Sequence, residues 1–87
     1  NKKNKIAKIN LEKIQSFIDN NKIKTEGIVN LEILKKSKLI NKSYSKFKIL
    51  GTGNLNIKLN IEADFSSKSA KEKIEKIGGT LKILSSK

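Results

Sequence analysis

The sequence of 87 residues contains no Cys, no His and no Arg. Without cysteine the chain forms no disulfide and offers no thiolate nucleophile, and without histidine as well a zinc site is not expected. The lack of histidine also removes the usual general base near neutral pH. No apolar run approaches the roughly 18 residues of a membrane span, and no stretch is typical of a secretory signal. These absences disfavour catalytic, metal-binding and membrane-spanning classes of protein.

Acidic residues are few as well, with 8 Asp and Glu against 20 Lys and a net charge of +12. A charge of this size on a short chain indicates a polyanionic partner, most often a nucleic acid. Arginine usually reads base edges, whereas lysine acts as a point charge on phosphate. Because every basic residue is Lys, we expect contacts with a nucleic-acid backbone more than sequence readout. Lys, Asn and Ile also share A/T-rich codons, so part of this bias reflects the genome.

Apolar residues make up 36% of the chain, which is enough for one modest core. We expect a basic tail at residues 1–5, a single globular domain at residues 6–84 and a short C-terminal tail at residues 85–87. The first residue is Asn and not Met, so we expect a fragment or a processed product.

In the first half, two helices are predicted from an Asn followed by Leu-Glu. Asn10 precedes an apolar pattern of helical spacing over residues 11–18, and Asn30 precedes a shorter one over residues 31–36. A strand is predicted at residues 6–9. Residues 23–29 are weakly patterned and leave a short strand or an irregular chain open.

The second half carries the clearest strand pattern. Four apolar residues alternate with polar ones, which predicts a strand over residues 55–61 with these four side chains on one face: Leu55, Ile57, Leu59 and Ile61. A preceding strand is predicted at residues 47–50, joined to it by a turn at Gly51-Thr52-Gly53. A last strand is predicted at residues 81–84.

A third helix is predicted after residue 69. Ser69 and Glu72 fit a capping box, and Gly78-Gly79 fits a left-handed stop. Its apolar stripe is expected to cover the strand at residues 55–61 and consists of Ala70, Ile74 and Ile77. The resulting order, β-α-(β)-α-β-β-α-β, favours a single small α/β domain.

Three linked motifs of the second half resemble a known family. They are KILGTGNL at residues 48–55, LNIEA at residues 59–63 and FSSKSAKEKIEKIGGT at residues 65–80. This pattern is similar to the C-terminal domain of the bacterial-type large-subunit ribosomal protein fifteen family. Ile9-Asn10-Leu11 and residues 34–40 fit the same family, so the resemblance covers residues 6–84.

The resemblance implies an irregular β-β-α superhelix with short helices packed on short strands. It also implies residence in the large subunit of a bacterial, plastid or mitochondrial ribosome, with large-subunit rRNA and neighbouring ribosomal proteins as partners. No catalysis, cofactor, small-molecule substrate, membrane or homo-oligomer is expected. Two departures stand out: Lys38 occupies a place where the family usually has Gly, and the family's basic N-terminal arm has no counterpart in this chain.

Ten residues are the expected RNA contacts. Lysines in residues 35–48 lack matching acids and are predicted to track phosphates, residues at the start of the third helix are predicted to hold one phosphate, and a loop tyrosine is predicted to stack on a base. They are Lys35, Lys36, Lys38, Lys42, Tyr44, Lys46, Lys48, Ser66, Lys68 and Lys71.

Several plainer interpretations stay open beside these. Tyr44 or Phe47 could belong to the core, and the glycines at 51 and 53 could serve only a turn. Glu62 and Asp64 form a close carboxylate pair, for which a solvated strand end is the expected role. A free-standing RNA-binding module outside the ribosome is the alternative function, and a membrane-surface protein is less favoured because the helices are short.

Overall fold

Short strands and short helices alternate along the chain. A computed structural model of the protein describes residues 5–24 and 26–84. Its strands are β1 (Ile6–Asn10), β2 (Ile28–Val29), β3 (Lys46–Leu50), β4 (Asn60–Ala63), β5 (Phe65–Ser66) and β6 (Thr80–Ile83). Its helices are α1 (Leu11–Asp19), α2 (Leu31–Lys36) and α3 (Lys68–Lys76). The predicted α/β class is confirmed, and the predicted tails, apart from residue 5, lie outside the described residues.

The strands form two parallel sheets whose members alternate in chain order. The odd-strand sheet has the order β1-β3-β5, and the even-strand sheet has the order β2-β4-β6. Ala7 is in register with Phe47, and Asn60 is in register with Thr80. Each passage from an odd strand to the next even strand is one turn of a superhelix. The three turns pass through α1, through residues 51–59 and through α3.

The core lies between the inner faces of the two sheets and the buried sides of the helices. Its fully buried large side chains are Phe47, Leu11, Ile14, Leu34, Ile49, Leu59, Ile61, Ile74 and Val29. Phe47 is therefore a core residue, as the plainer interpretation of the sequence had it. No polar or charged residue of the described chain is buried.

The prediction of a strand over residues 55–61 is wrong in extent. The observed strand β4 begins only at Asn60, because residues 54–59 have no strand beside them with which to form a ladder. Leu55 and Leu59 are nevertheless buried, and Ile57 packs partly against the core. The alternation therefore predicted which side chains point inward, but it did not predict the hydrogen bonding.

The turn at residues 51–53 does not join two paired strands. The sequence predicts β3 and the following strand as consecutive strands across a tight turn, whereas the structure places β3 and β4 in different sheets. Only Gly53 of this turn has a positive φ, at 84°. The sequence also missed β5, whose two residues pair with Lys48 and Ile49 of β3.

The helix caps confirm two predictions and correct one. Asn10 accepts a hydrogen bond from the Lys13 amide at 2.8 Å, and Asn30 accepts one from the Ile33 amide at 2.9 Å. The N-cap of α3 is Ser67, whose hydroxyl accepts from the Ala70 amide at 3.2 Å, and not the predicted Ser69. The cap lies two residues earlier because β5 ends at residue 66 and the helix follows directly.

Candidate nucleic-acid interface

One outer surface of the protein is built from the side chains of the odd-strand sheet that point away from the core. Along β1 and β3 every second residue is buried, so the residues between them face outward. The register places Lys8 beside Lys48 and Lys48 beside Phe65, while Lys46 lies beside Ile6. We call this surface, formed by Lys8, Lys46, Lys48 and Phe65, the lysine face. Because none of its strands presents a carboxylate outward, its charge is uniformly positive.

The other two sides of the superhelix have mixed charge. On the outer face of the even-strand sheet, Glu62 lies in register with Lys82, and Thr80 donates a hydrogen bond to Asn60 at 2.8 Å. The side formed by α1, residues 51–59 and α3 carries acids among its lysines: Glu12, Asp19, Glu72 and Glu75. The lysine face is therefore where backbone phosphates meet the least repulsion.

The lysines predicted around α2 are separated from one another by the fold. Lys35 is half-buried in a groove that it shares with three carboxylates, those of Glu32, Glu62 and Asp64. Lys36 and Lys38 are exposed and lie outside that groove. The lysine-rich stretch of residues 35–48 is thus not one patch, since its last two lysines belong to the lysine face.

Tyr44 lies at the edge of the lysine face and not in open solvent. It is half-buried and packs against the core, in a groove beside β1 that Lys8 also lines. Lys42 is exposed in the loop that precedes it. Both an edge contact with RNA and a core role remain compatible with this position of Tyr44.

The predicted residues at the start of α3 divide between two surfaces. Ser66 is in register with the fully buried Ile49, so it points toward the core, and it is half-buried. Lys68 and Lys71 are exposed on the first turn and a half of the helix. The structure therefore does not bring Ser66 together with these two lysines.

The loop at residues 51–53 is a packing joint between α1 and α3. The Lys73 ammonium donates hydrogen bonds to the carbonyl oxygens of Gly51 and Gly53, both at 2.8 Å. A Cβ on Gly51 would clash with the Ser69 side chain, and a Cβ on Gly53 would clash with Glu12. These contacts account for both glycines, and they make Lys73 a structural residue that its sequence position did not indicate.

Asp64 is also structural. Its carboxylate accepts a hydrogen bond from the Phe47 amide at 2.9 Å, while its own amide donates to the Phe47 carbonyl at 2.8 Å. This residue is the single link between β4 and β5, so it holds the corner between the two sheets. Within residues 5–24 and 26–84, no group of acidic side chains has the arrangement of a metal site. The same residues contain no helix long and apolar enough to cross a membrane.

The three linked motifs and the superhelix are matched by one family model. That model, described as the ribosomal proteins 50S-L15 and 50S-L18e with their counterpart from the 60S subunit, matches residues 8–82. The chain belongs to this family. The resemblance read from the sequence is thereby confirmed.

Relatives in bacteria support the same assignment. The chain is 56% identical over 78 residues to the large ribosomal subunit protein uL15 of Pelagibacter ubique, covering 90% of the chain and 51% of that relative. It is 44% identical over 79 residues to uL15 of Prochlorococcus marinus, covering 91% and 48%. It is 40% identical over 78 residues to uL15 of Bradyrhizobium diazoefficiens, covering 90% and 48%. The chain thus spans about half the length of the curated relatives it matches.

Two residues of the lysine face were missed by sequence reasoning. Lys8 alternates with Ala7 and Ile9 in a predicted strand, so its outward direction was readable from the sequence alone. Phe65 offered no such signal, because β5 is only two residues long and its partner strand lies 17 residues earlier.

Proposed function

We propose that the chain is a structural constituent of the large ribosomal subunit that packs against large-subunit rRNA. The contacts are made by lysine ammonium groups to backbone phosphates, chiefly on the lysine face, and they support subunit assembly. Neighbouring large-subunit proteins are its other partners, and the chain carries out no catalysis. The proposal rests on family membership and on one observation, the three outward lysines of a sheet without a carboxylate.

The test compares two triple variants that lose the same charge. Lys8, Lys46 and Lys48 are replaced by Gln in one, and in the other the same change is made at three exposed lysines outside that face: Lys13, Lys76 and Lys82. Binding to large-subunit rRNA is measured as a function of salt. Each lost phosphate contact should flatten the slope of log K against log salt by about 0.7–0.9. We expect a flattening of about 2–3 for the first variant and little change for the second.

Two outcomes would contradict the proposal. Equal effects of the two variants would mean that the lysine face has no special role, and a slope shallower than about −2 for the unaltered chain would remove the electrostatic basis altogether. Cosedimentation with bacterial large subunits depleted of their own family member separates the ribosomal role from a free-standing RNA-binding module. A chain that binds rRNA but migrates apart from these subunits would favour the module.

A further inference from the structure

Phe65 is an aromatic side chain that the core does not use. The chain has four aromatic residues, and the structure describes all of them. Phe47 is fully buried, while Phe17 and Tyr44 pack against the core cluster. Phe65 is half-buried, points outward from β5 and is not part of that cluster. Its ring therefore lies on the surface, within the lysine face.

The neighbours of Phe65 are positively charged. Because Lys8, Lys48 and Phe65 lie in register on three adjacent strands, they follow one another across the sheet at steps of about 4.8 Å. Lys46 lies two residues before Lys48 on the same face of β3, about 6.6 Å away along the strand. An aromatic ring is thus flanked on one side by three ammonium groups on flexible stems.

This combination suits an unpaired nucleotide. Bases of a duplex are stacked within the helix and offer no free face to a side chain, whereas a splayed base can stack on an aromatic ring. Lysines beside the ring can hold the phosphates that flank such a base. A protein partner is less well matched, since the outward residues of these strands include no carboxylate and no hydrogen-bonding group other than Asn10 and the lysines.

We propose that Phe65 stacks on an unpaired base, so that the lysine face holds a single-stranded segment of the bound RNA. This inference rests on the proposed function, because it specifies the form of RNA that the same surface takes. It shifts the stacking role from Tyr44, where the sequence placed it, to a residue in register with two lysines. It also predicts selectivity between RNA forms, which lysine contacts alone do not give.

Tryptophan fluorescence tests the stacking directly, because the chain contains no Trp. Phe65→Trp places a single reporter on the lysine face, and Ile28→Trp places a matched one on the even-strand sheet, at a side chain that is 45% exposed. A short unstructured RNA oligonucleotide should quench the first reporter and leave the second unchanged. A duplex with the same number of phosphates should bind without quenching either.

Affinity supplies the second readout. Phe65→Leu removes the ring and should weaken binding of the single-stranded oligonucleotide about tenfold, while leaving duplex binding unchanged. Phe65→Tyr keeps the ring and should retain the affinity of the original chain. Urea unfolding of both variants, compared with the unaltered chain, separates a loss of stacking from a loss of folding.

The outcomes distinguish this inference from the proposed function. If the oligonucleotide binds with the expected salt slope but neither quenches the reporter nor responds to Phe65→Leu, stacking is overturned and the phosphate contacts stand. A reporter that responds only to intact large subunits, and not to RNA, would also overturn it and would assign the ring to a protein contact. If the unaltered chain binds no RNA form, the proposed function itself fails.

Discussion

At the scale of single residues, the three helices end in the same way with different amino acids. Each is followed by a residue with positive φ, and in each case the next amide donates to the carbonyl five residues before it, at 2.7–3.0 Å. The three residues are Asn21 at 58°, Lys38 at 61° and Gly78 at 87°. Glycine adopts this conformation freely and Asn tolerates it, whereas Lys carries the full steric cost of its Cβ. The fold therefore imposes a left-handed residue after α2 even where the family's usual Gly is absent.

Lys38→Gly should consequently stabilise the protein. Relieving the left-handed backbone outweighs the extra entropy of glycine in the unfolded chain, and we expect a gain of about 0.5–1 kcal/mol in the free energy of unfolding. Urea denaturation at moderate salt measures it, and Lys38→Asn keeps the same charge change while testing the same conformation. Asn21→Gly serves as the comparison and should gain less. A loss of stability in Lys38→Gly would show that the lysine side chain makes a contact worth more than the strain.

At the scale of elements, residues 51–59 take the place that a helix occupies in the other two turns. The segment is extended and lies between α1 and α3: Gln15 accepts a hydrogen bond from the Asn56 amide at 2.8 Å, and the Leu59 carbonyl accepts one from the Thr80 amide at 2.9 Å. Its anchors are therefore side chains and single backbone bonds in place of a strand ladder. Gly79 makes room for it, since a Cβ at that position would clash with the Leu59 carbonyl.

Ile74→Ala tests the packing of α3 on this segment. Ile74 is fully buried, so its truncation removes methyl groups and leaves a cavity that a nine-residue helix with a fixed end cannot close. We expect a loss of about 2–4 kcal/mol in the free energy of unfolding, measured by urea or thermal denaturation. Glu75→Ala, at an exposed position of the same helix, should change stability by less than about 0.5 kcal/mol. An Ile74→Ala cost under about 1 kcal/mol would mean that the helix face has been misassigned.

The elements themselves were largely predictable, because their signals are local. Both Asn caps, the apolar stripe of α3 and the Gly78 stop follow from residues within one or two turns of each other. The assembly of the lysine face was not predictable, because it depends on which strands pair. Nothing in the residues near Lys8 indicates that Lys48 will lie beside it, and a parallel pair has no connecting turn to fix its register. The net charge was thus evident from the sequence, whereas its distribution over the surface required the fold.

At the scale of the whole molecule, twelve net positive charges share a small volume. The radius of gyration is 12.1 Å, which is close to the Debye length of about 10 Å at 0.1 M salt. At lower ionic strength every charge therefore acts on every other, and this repulsion destabilises the folded chain. Added salt screens it, and bound RNA would neutralise it.

The melting temperature should accordingly rise with KCl between low and moderate concentration. The triple replacement of Lys8, Lys46 and Lys48 by Gln should melt higher than the unaltered chain at low salt and respond less to KCl, because three of the repelling charges are gone. Calorimetry or circular dichroism measures both curves. A melting temperature that falls as salt rises would mean that attractive ion pairs outweigh the repulsion.

The alternation of the strands between two sheets has a consequence for synthesis. Residue 7 pairs with residue 47, so β1 has no partner until forty further residues have been added. At about 5–20 residues per second this is an interval of about 2–8 s, and the even-strand sheet is completed only when residues 80–83 emerge. Nearly every stabilising contact is therefore non-local, and chain entropy opposes folding until late in translation. The nascent chain spends those seconds with its apolar residues unpaired, and its twenty lysines keep it soluble by mutual repulsion during that time.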